Sequence, residues 1–349
     1  DEVDGELIFA REEELQYATE FTLTHYEGGY KEFTVNTLAD RKFLIVPEGR
    51  SVPEGLDEGT VILKQPLNKI CLNSSGMVSL VDAIGGLKNI SAVGEVVDNW
   101  YIDNVVSMMK SGEIKYSDSY KAPDFEMLTK EGIQLEVDTT MLLYSPDVMA
   151  KYDELEIPFF IESSSREGHP LGRVEWVKLF GALLGLEDNA NSYFNEQVTK
   201  VNNVTAAEKN EKNVAIFYMS TDAQKVYARN GGDYMAQMIE LAGGTYIMAD
   251  VSPEKSGTTA TTLEELYARC VDADYLFYVN FALKFDSIDE MVKQLPLLAD
   301  FKAVKEGRVY ITAPIFTQST AAIGGIIEDM NSILIDPGIE STQSLIKLK

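Results

Sequence analysis

Short β-rich runs alternate with helical stretches twice along this 349-residue chain, and this pattern is the strongest constraint on its fold. The first series contains "KICLNSS" (69–75), "ISAVGEV" (90–96), "GIQLEVD" (132–138) and "IPFFIES" (157–163). The second contains "NVAIFYMS" (213–220), "DYLFYVNF" (274–281) and "GRVYITAP" (307–314). Strands that alternate with helices form parallel sheets whose faces are covered by those helices. The sequence therefore predicts two β/α lobes.

One helical stretch separates the two series. In "NANSYFNEQVTKVNNVTAAEK", apolar residues recur at helical spacing: Phe194, Val198, Val201 and Val204. A helix of about twenty residues spans ~30 Å, the width of a small domain. The predicted fold class is α/β, with two Rossmann-like lobes joined by a single long α-helix. We place the N-terminal lobe at residues 65–187, the interdomain helix at 188–210 and the C-terminal lobe at 211–349.

Residues 1–64 precede the first lobe and are predicted to form an N-terminal extension with a β-hairpin. The stretch "YATEFTLTHYEGGYKEFTVN" alternates apolar and polar residues around Gly28-Gly29, a dipeptide suited to positive φ. His25 lies on one of these strands, and we expect a surface or cross-strand role for it rather than a metal-binding one. The opening residues "DEVDGELIFAREEELQ" have neither the basic nor the apolar region of a signal peptide.

Composition excludes several classes of function. The formal net charge of −26 would repel a nucleic-acid backbone, so no nucleic-acid partner is expected. No apolar run reaches the ~20 residues that cross a bilayer. Cys71 and Cys270 each lie near an apolar stretch, and we predict two buried thiols rather than a disulfide. With only two histidines and no Cys-x-x-Cys pair, neither a zinc site nor a resident cofactor is expected.

The two lobes share a short acidic motif at the start of a helix that leads into a strand. The shared positions are an N-cap candidate, a first-turn glutamate and a later leucine: Asp124, Glu126 and Leu128 in the first lobe, Thr262, Glu264 and Leu266 in the second. A glutamate in the first turn is favoured by the helix dipole alone. Because the motif occurs once in each lobe, a paired functional role is the alternative interpretation.

These features together resemble the substrate-binding proteins of ABC importers, in the rigid-helix (class III) group that carries ferric siderophores, haem and cobalamin. The resemblance covers roughly residues 65–335 and includes "HPLGRVEWVKLFGALLG" before the connecting helix and "IELAGG" in the second lobe. The Pro-Asp pair that is familiar in the strands after the glutamate helices is missing, since this chain has "IQLEVD" and "DADYLF".

This resemblance implies a function and a set of partners. The chain would be an extracytoplasmic receptor, periplasmic or a cell-surface lipoprotein held by a lipid anchor upstream of this sequence, and a monomer. It would bind a metal chelate or a tetrapyrrole in the interlobe cleft and deliver it to an ABC permease, with a corrinoid as the alternative ligand. Glu126 and Glu264 inherit, by position, the role of docking into arginine pockets of the permease.

Ligands of open α/β sheets bind beyond the carboxyl ends of the strands, which identifies candidate contact residues. In the first lobe these are Ser74, Ser75, Met77, Trp100, Tyr101, Met141, Ser164, Ser165, Arg166 and His169. In the second lobe they are Tyr218, Tyr227, Arg229 and Asn230. Aromatic side chains, methionine and a few arginines suit a large, partly apolar ligand that carries acidic groups.

Several candidates also have a structural interpretation. Trp100 is as well suited to the core as to a ligand, and methionines such as Met141 more often pack in cores. Arg229 is expected in an exposed loop that recognises an anion. Arg166 and Arg173 lie among glutamates and are expected to pair locally with Glu162, Glu167 or Glu175.

Two further functions are weighed against transport. The segment "ESSSREGHP" (162–170) offers Ser, His and Glu close in sequence, but it has no G-x-S-x-G turn, so an enzyme is not expected. A sensory or adhesive module that uses the hairpin to contact a partner stays open. We interpret this segment as the loop after a buried strand, with Pro170 opening the next helix and Trp176 as a packing anchor.

Overall fold

A computed structural model describes residues 5–349, and contacts within the chain divide it into two compact units. Unit 1 runs to Glu167 and also includes Leu171–Asn195 and Thr317–Ala321. Unit 2 comprises Gly168–Pro170, Glu196–Phe316 and Ala322–Lys349. No helix within the described residues is both long and apolar enough to cross a membrane.

Unit 1 begins with a five-stranded sheet in which the strands follow chain order. They are β1 (Phe9–Glu12), β2 (Phe21–Tyr26), β3 (Lys31–Val35), β4 (Lys42–Val46) and β5 (Val61–Lys64). Neighbouring strands are antiparallel except for the parallel pair β4 and β5. The predicted hairpin is confirmed, because β2 pairs with β3 across Gly28 and Gly29, whose φ values are +76° and +87°. This hairpin lies inside a larger sheet than the sequence predicted.

Aromatic packing joins the N-terminal sheet to the rest of unit 1. The rings of Phe33 and Phe43 stack with centroids 4.7 Å apart. Phe160 meets both of them edge-on, at 5.3 and 5.9 Å. All three side chains are buried, so the sheet shares a core with the strand that carries Phe160.

The second sheet of unit 1 is entirely parallel, in the order β10-β9-β6-β7-β8. Its strands are β6 (Ile70–Leu72), β7 (Ile90–Val93), β8 (Lys115–Tyr116), β9 (Leu135–Thr139) and β10 (Phe159–Glu162). Its helices are α1 (Ser75–Ala83), α2 (Asp103–Ser111), α3 (Phe125–Glu131), α4 (Pro146–Glu154), α5 (Pro170–Glu175) and α6 (Val177–Leu184). The four predicted runs are its four longer strands, and the strand order reverses between β6 and β9.

Helix α7 (Glu187–Thr205) is the predicted long helix, and its 19 residues span ~28 Å. The boundary between the two units falls within it, after Asn195. Phe194 and Val201 are buried, as the apolar spacing predicted. The helix ends before residue 210, five residues short of the predicted range.

Unit 2 contains a mixed seven-stranded sheet in the order β14-β12-β11-β15-β16-β17, with β13 also beside β11. The strands are β11 (Asn213–Met219), β12 (Val226–Arg229), β13 (Thr245–Tyr246), β14 (Thr258–Thr261), β15 (Tyr275–Tyr278), β16 (Val309–Thr312) and β17 (Leu345–Lys347). The helices are α8 (Tyr234–Leu241), α9 (Leu263–Cys270), α10 (Ile288–Gln294), α11 (Lys302–Lys305) and α12 (Ile323–Ile335). The three predicted runs form the parallel centre, β11, β15 and β16.

The α/β fold class is therefore confirmed in both units. Cys71 and Cys270 are buried free thiols, as predicted. Burial raises the pKa of each thiol.

Candidate functional site

The carboxyl ends of β6 and β9 mark the point at which the strand order of unit 1 reverses, the usual location of a ligand crevice in such a sheet. After β6, the Ser74 side chain caps α1 by accepting a hydrogen bond from the Met77 amide at 3.3 Å. Ser75 is the first residue of α1 and is half-buried. Met77 is fully buried, so its thioether packs in the core instead of facing this edge.

Trp100 and Tyr101 follow β7 and have different environments. Trp100 is buried, and its indole N–H donates to the Glu95 carbonyl at 3.1 Å. Tyr101 is 47% exposed, and its amide donates to Gln318 Oε1 at 2.8 Å. Gln318 also donates to the Asn99 carbonyl at 2.7 Å, so its side-chain amide bonds the backbone on either side of Trp100. The structure therefore places Trp100 in the core and Tyr101 at the surface.

The turn after β9 is the most exposed apolar part of this edge. Met141 is 46% exposed, and Tyr144, three residues later, is 81% exposed. The Thr139 hydroxyl accepts from the Met141 amide at 3.2 Å and starts the 3-10 turn Thr140–Tyr144. Sequence reasoning missed Tyr144, because an apolar run after a strand predicts burial and no local pattern marks this tyrosine as exposed.

The loop after β10 carries the polar candidates of unit 1. Ser164 is buried, whereas Ser165 and Arg166 are exposed. Glu162, at the end of β10, accepts from the Ser164 amide at 3.0 Å, and burial raises its pKa to about 7. His169 is half-buried, and burial lowers the pKa of its imidazole. By its contacts His169 belongs to unit 2, in which the adjacent Gly168 carbonyl accepts from Gln237 Nε2.

Glu167 and Glu175 have partners that the sequence did not predict. Glu175 accepts the backbone N–H groups of residues 16–18 at 2.8–3.0 Å and pairs with Lys178 at 2.8 Å. Glu167 accepts the amides of Thr19 and Glu20, at 2.8 and 3.1 Å, and the Trp176 indole N–H at 2.8 Å. Both carboxylates thus serve the buried N-terminal segment, whose amides need acceptors. Arg173 Nη2 donates to the Ser165 carbonyl at 2.7 Å, and its charge acts on Glu162, so the local pairing of the arginines stays a prediction.

The same contacts bear on the hydrolase alternative. The Glu167 carboxylate lies within "ESSSREGHP", but it anchors a backbone segment and a buried indole. Gly172 faces this segment so closely that a Cβ there would lie 2.9 Å from the Tyr17 carbonyl oxygen. Trp176 is fully buried and packs on Phe21 at 4.8 Å, which confirms it as a packing anchor.

The strand order of unit 2 reverses between β11 and β15, and aromatic residues gather at their carboxyl ends. Tyr218 stacks on Tyr227 with ring centroids 4.9 Å apart and an interplanar angle of 16°. Phe281, after β15, meets Tyr218 edge-on at 6.5 Å and is 63% exposed. The structure thus brings together two of the predicted contacts, Tyr218 and Tyr227.

Arg229 and Asn230 are more buried, and have more polar partners, than the sequence predicted. Arg229 ends strand β12, only 14% of its side chain is exposed, and Nη1 lies 3.8 Å from Asp233 Oδ1. Its guanidinium lies 5.8 Å from the Tyr218 ring. Asn230 is buried, donates to the Ser256 carbonyl at 2.9 Å and accepts from Thr259 at 2.6 Å. The prediction of an exposed loop at Arg229 is wrong, because β12 pairs with strands on both sides.

The two glutamate helices have the predicted local structure. Asp124 caps α3 by accepting from the Met127 amide at 2.9 Å, and Thr262 caps α9 by accepting from Glu265 at 3.2 Å. Glu126 and Glu264 lie in the first turns and are exposed. Both N-cap predictions are confirmed, and the docking role of the glutamates stays a prediction.

A buried carboxyl pair lies on β9, next to the crevice edge of unit 1. Glu136 accepts from Asn73 Nδ2 at 2.6 Å, and the Tyr152 hydroxyl lies 3.3 Å from Glu136 and 3.2 Å from Asp138. Burial raises the pKa of Glu136 to about 8, with the Asp138 charge as a second cause, and burial raises the pKa of Asp138 to about 7. Across residues 5–349, no cluster of three or more His, Cys, Asp and Glu side chains is arranged to hold a metal ion.

Comparison with known proteins places these observations in a family. A family model described as "periplasmic binding protein" matches residues 140–315. An uncharacterized lipoprotein of Methanocaldococcus jannaschii is 25% identical over 92% of this chain and 81% of its own length.

Two solved structures have a similar fold. A periplasmic haem-binding protein of Pseudomonas aeruginosa has a TM-score of 0.62 at 14% identity and covers 81% of this chain and 98% of its own. A petrobactin-binding protein of Bacillus subtilis has a TM-score of 0.60 at 16% identity and covers 77% of this chain and 92% of its own. At these identities the likeness concerns the fold.

Proposed function

Because this chain belongs to the periplasmic binding protein family and has the fold of its rigid-helix group, we propose that it is a receptor for an iron chelate of the siderophore or haem type. The proposal includes delivery of that ligand to an ABC permease. One observation carries it: exposed aromatic side chains follow the central strands near the point where the strand order reverses, Tyr101 and Tyr144 in unit 1 and Phe281 in unit 2.

The chemistry of these edges favours a ligand with flat or apolar faces. In unit 1, Tyr101, Met141 and Tyr144 expose apolar surface. In unit 2, the stacked pair Tyr218 and Tyr227 adds phenol rings. Aromatic rings and thioethers contact conjugated or apolar ligand surfaces well, and tyrosine hydroxyls can bind acidic or metal-bound oxygens.

The proposed location is extracytoplasmic. A relative of this chain that spans 92% of it is named a lipoprotein, and the family is named for the periplasm. We infer attachment to the cell surface through a lipid anchor upstream of residue 1. Metabolic labelling of the full-length gene product with a fatty-acid analogue should give a lipid-modified protein, and an unlabelled secreted product would contradict the anchor.

Ligand binding can be tested with four probes: haemin, a ferric catecholate, a ferric hydroxamate and cyanocobalamin. Tryptophan quenching should report saturable binding of one of the first three, since the buried Trp100 directly precedes the exposed Tyr101 at the unit 1 edge. Tyr144→Ala and Tyr218→Ala should each weaken that binding by about tenfold. The control is Phe9→Ala, an exposed aromatic residue on β1. Binding of cyanocobalamin alone would reassign the ligand to the corrinoids, and binding of no probe would overturn the proposal.

Delivery requires a separate test, because binding alone does not demonstrate transport. The double variant Glu126→Gln, Glu264→Gln should abolish ligand uptake by cells that express the permease and leave ligand affinity unchanged. Both side chains are exposed, so their neutralisation should not affect folding. Unchanged uptake would contradict the docking role.

A further inference from the structure

An open groove of about 500 Å³ lies beside Glu126 on the surface of unit 1. Helix α3 and the end of α4 line it with Phe125, Glu126, Thr129, Lys130, Lys151 and Leu155. None of these residues is among the candidate ligand contacts of either unit. The groove therefore needs an explanation of its own.

The floor of the groove is apolar and well supported. Phe125 and Leu155 are partly buried and pack against the core cluster that contains Leu128, Tyr152 and Phe159. The Phe125 ring meets Tyr152 edge-on at 5.5 Å. A floor held by a core in this way keeps its shape when it is exposed to water, which makes it able to receive an apolar side chain.

The rim carries charges of both signs. Glu126 is exposed on α3, and Lys130 follows one helical turn later. Lys151 pairs with Glu154 at 2.8 Å. Two lysines therefore line the same groove as Glu126, in a chain whose formal net charge is −26. A partner that presents only basic residues would meet repulsion there.

We propose that this groove receives an apolar side chain from an extracytoplasmic loop of the permease, between an arginine that pairs with Glu126 and a carboxylate that faces Lys130 and Lys151. The inference rests on the proposed function, since it presupposes that the chain docks on a permease. It adds that the contact at Glu126 is an anchored pocket with a mixed-charge rim, in which the apolar side chain desolvates the ion pairs around it.

The test measures the affinity of the ligand-free chain for its permease and ATPase complex in lipid nanodiscs. Thr129→Trp fills the groove from an exposed position, and Lys130→Glu reverses one charge of the rim. Ser107→Trp and Lys110→Glu make the same changes at exposed positions of α2, away from the groove. Glu126→Gln reports docking at the glutamate itself.

We expect Thr129→Trp to weaken binding by about tenfold or more, as loss of a central anchor does. Lys130→Glu should weaken it severalfold, mainly at low salt. Both control variants should bind like the wild type. If Glu126→Gln weakens binding while Thr129→Trp and Lys130→Glu do not, the groove proposal is overturned and docking at Glu126 stands. If all three variants bind like the wild type, docking at this surface is itself overturned. Thermal unfolding of each variant shows whether it folds.

Discussion

The helix and strand that display Glu126 in unit 1 can be compared with those that display Glu264 in unit 2. We call each helix with its following strand a module. At the surface the two modules agree, since each has an N-cap side chain, a first-turn glutamate and, two residues later, a fully buried leucine: Leu128 in α3 and Leu266 in α9. Each helix then leads into a central strand, β9 or β15.

Beneath the surface the modules differ. Strand β9 buries the carboxyl pair Glu136 and Asp138, whereas β15 has the sequence YLFY and is wholly apolar or aromatic. Glu126 on α3 lies beside an apolar groove. Glu264 on α9 is instead followed by a second acid, Glu265, which accepts a hydrogen bond from the Thr261 hydroxyl. An N-cap side chain and one buried leucine are therefore enough to position an exposed glutamate, whether the following strand buries carboxyl groups or is apolar.

At a fixed pH, the largest expected effect comes from removing the leucine anchors. Leu128→Ala and Leu266→Ala should each lower the free energy of unfolding by about 3 kcal/mol, because a fully buried leucine leaves a cavity. Both tryptophans of the chain, Trp100 and Trp176, lie in unit 1, so their fluorescence reports that unit during guanidinium unfolding. Hydrogen exchange of the β15 amides reports the stability of unit 2.

The exposed Leu143→Ala serves as the control for this pair and should change stability little. If one leucine variant loses several kcal/mol and the other almost nothing, the two modules are anchored differently and the comparison fails.

The next effect is a pH dependence confined to unit 1. A carboxyl group whose pKa is raised on folding stabilises the protein fully below its unfolded pKa, and this contribution is lost as the pH rises through the folded pKa. For Glu136 the window runs from the ordinary value of 4.5 to about 8. Within it, the free energy of unfolding of unit 1 should fall by about 1.4 kcal/mol per pH unit for each proton involved.

Glu136→Gln should reduce this slope, which tryptophan fluorescence can follow between pH 5 and 8. Glu264→Gln, which neutralises an exposed carboxylate of the other module, is the matched control and should leave the slope unchanged. Equal slopes for the wild type and Glu136→Gln would mean that the buried pair is not protonated in the folded protein.

The smallest effect concerns the helix caps. Asp124→Ala and Thr262→Ala should each lower stability by about 1 kcal/mol, since each removes the acceptor of a first-turn amide. Asp124→Ala should have the slightly larger effect because a charged cap also interacts with the helix dipole. Faster exchange of the Met127 and Glu265 amides measures the loss directly, and unchanged exchange would show that other groups satisfy these donors.

Much of the fold was predictable because its signals are local. The period of the apolar residues identified the central strands and α7, the Gly28-Gly29 dipeptide identified the hairpin, and the caps followed from Asp124 and Thr262. Strands such as β12 and β14 were missed, since short runs without strong alternation form strands only when neighbours supply their hydrogen bonds.

The candidate site was less predictable, because the exposure of its residues depends on contacts with distant segments. The position rule placed Tyr101 and Met141 correctly after their strands, whereas Tyr218 lies within the end of strand β11, and exposure depends on what covers each segment. Trp100 and Met77 obey the rule and are nevertheless buried. Tyr144 is 81% exposed, and no local pattern distinguishes it from a core tyrosine such as Tyr152.

By itself, the sequence determined the two β/α series, the helix between them, the caps that display Glu126 and Glu264, and the buried state of both cysteines. Tertiary structure alone decided the partners of the charged groups. Glu167 and Glu175 bind amides about 150 residues away, and Glu136 and Asp138 share a buried site with Tyr152. The physical reason is that a periodic pattern encodes which face of an element is buried, whereas the partner of a buried charge depends on which distant segment packs against it.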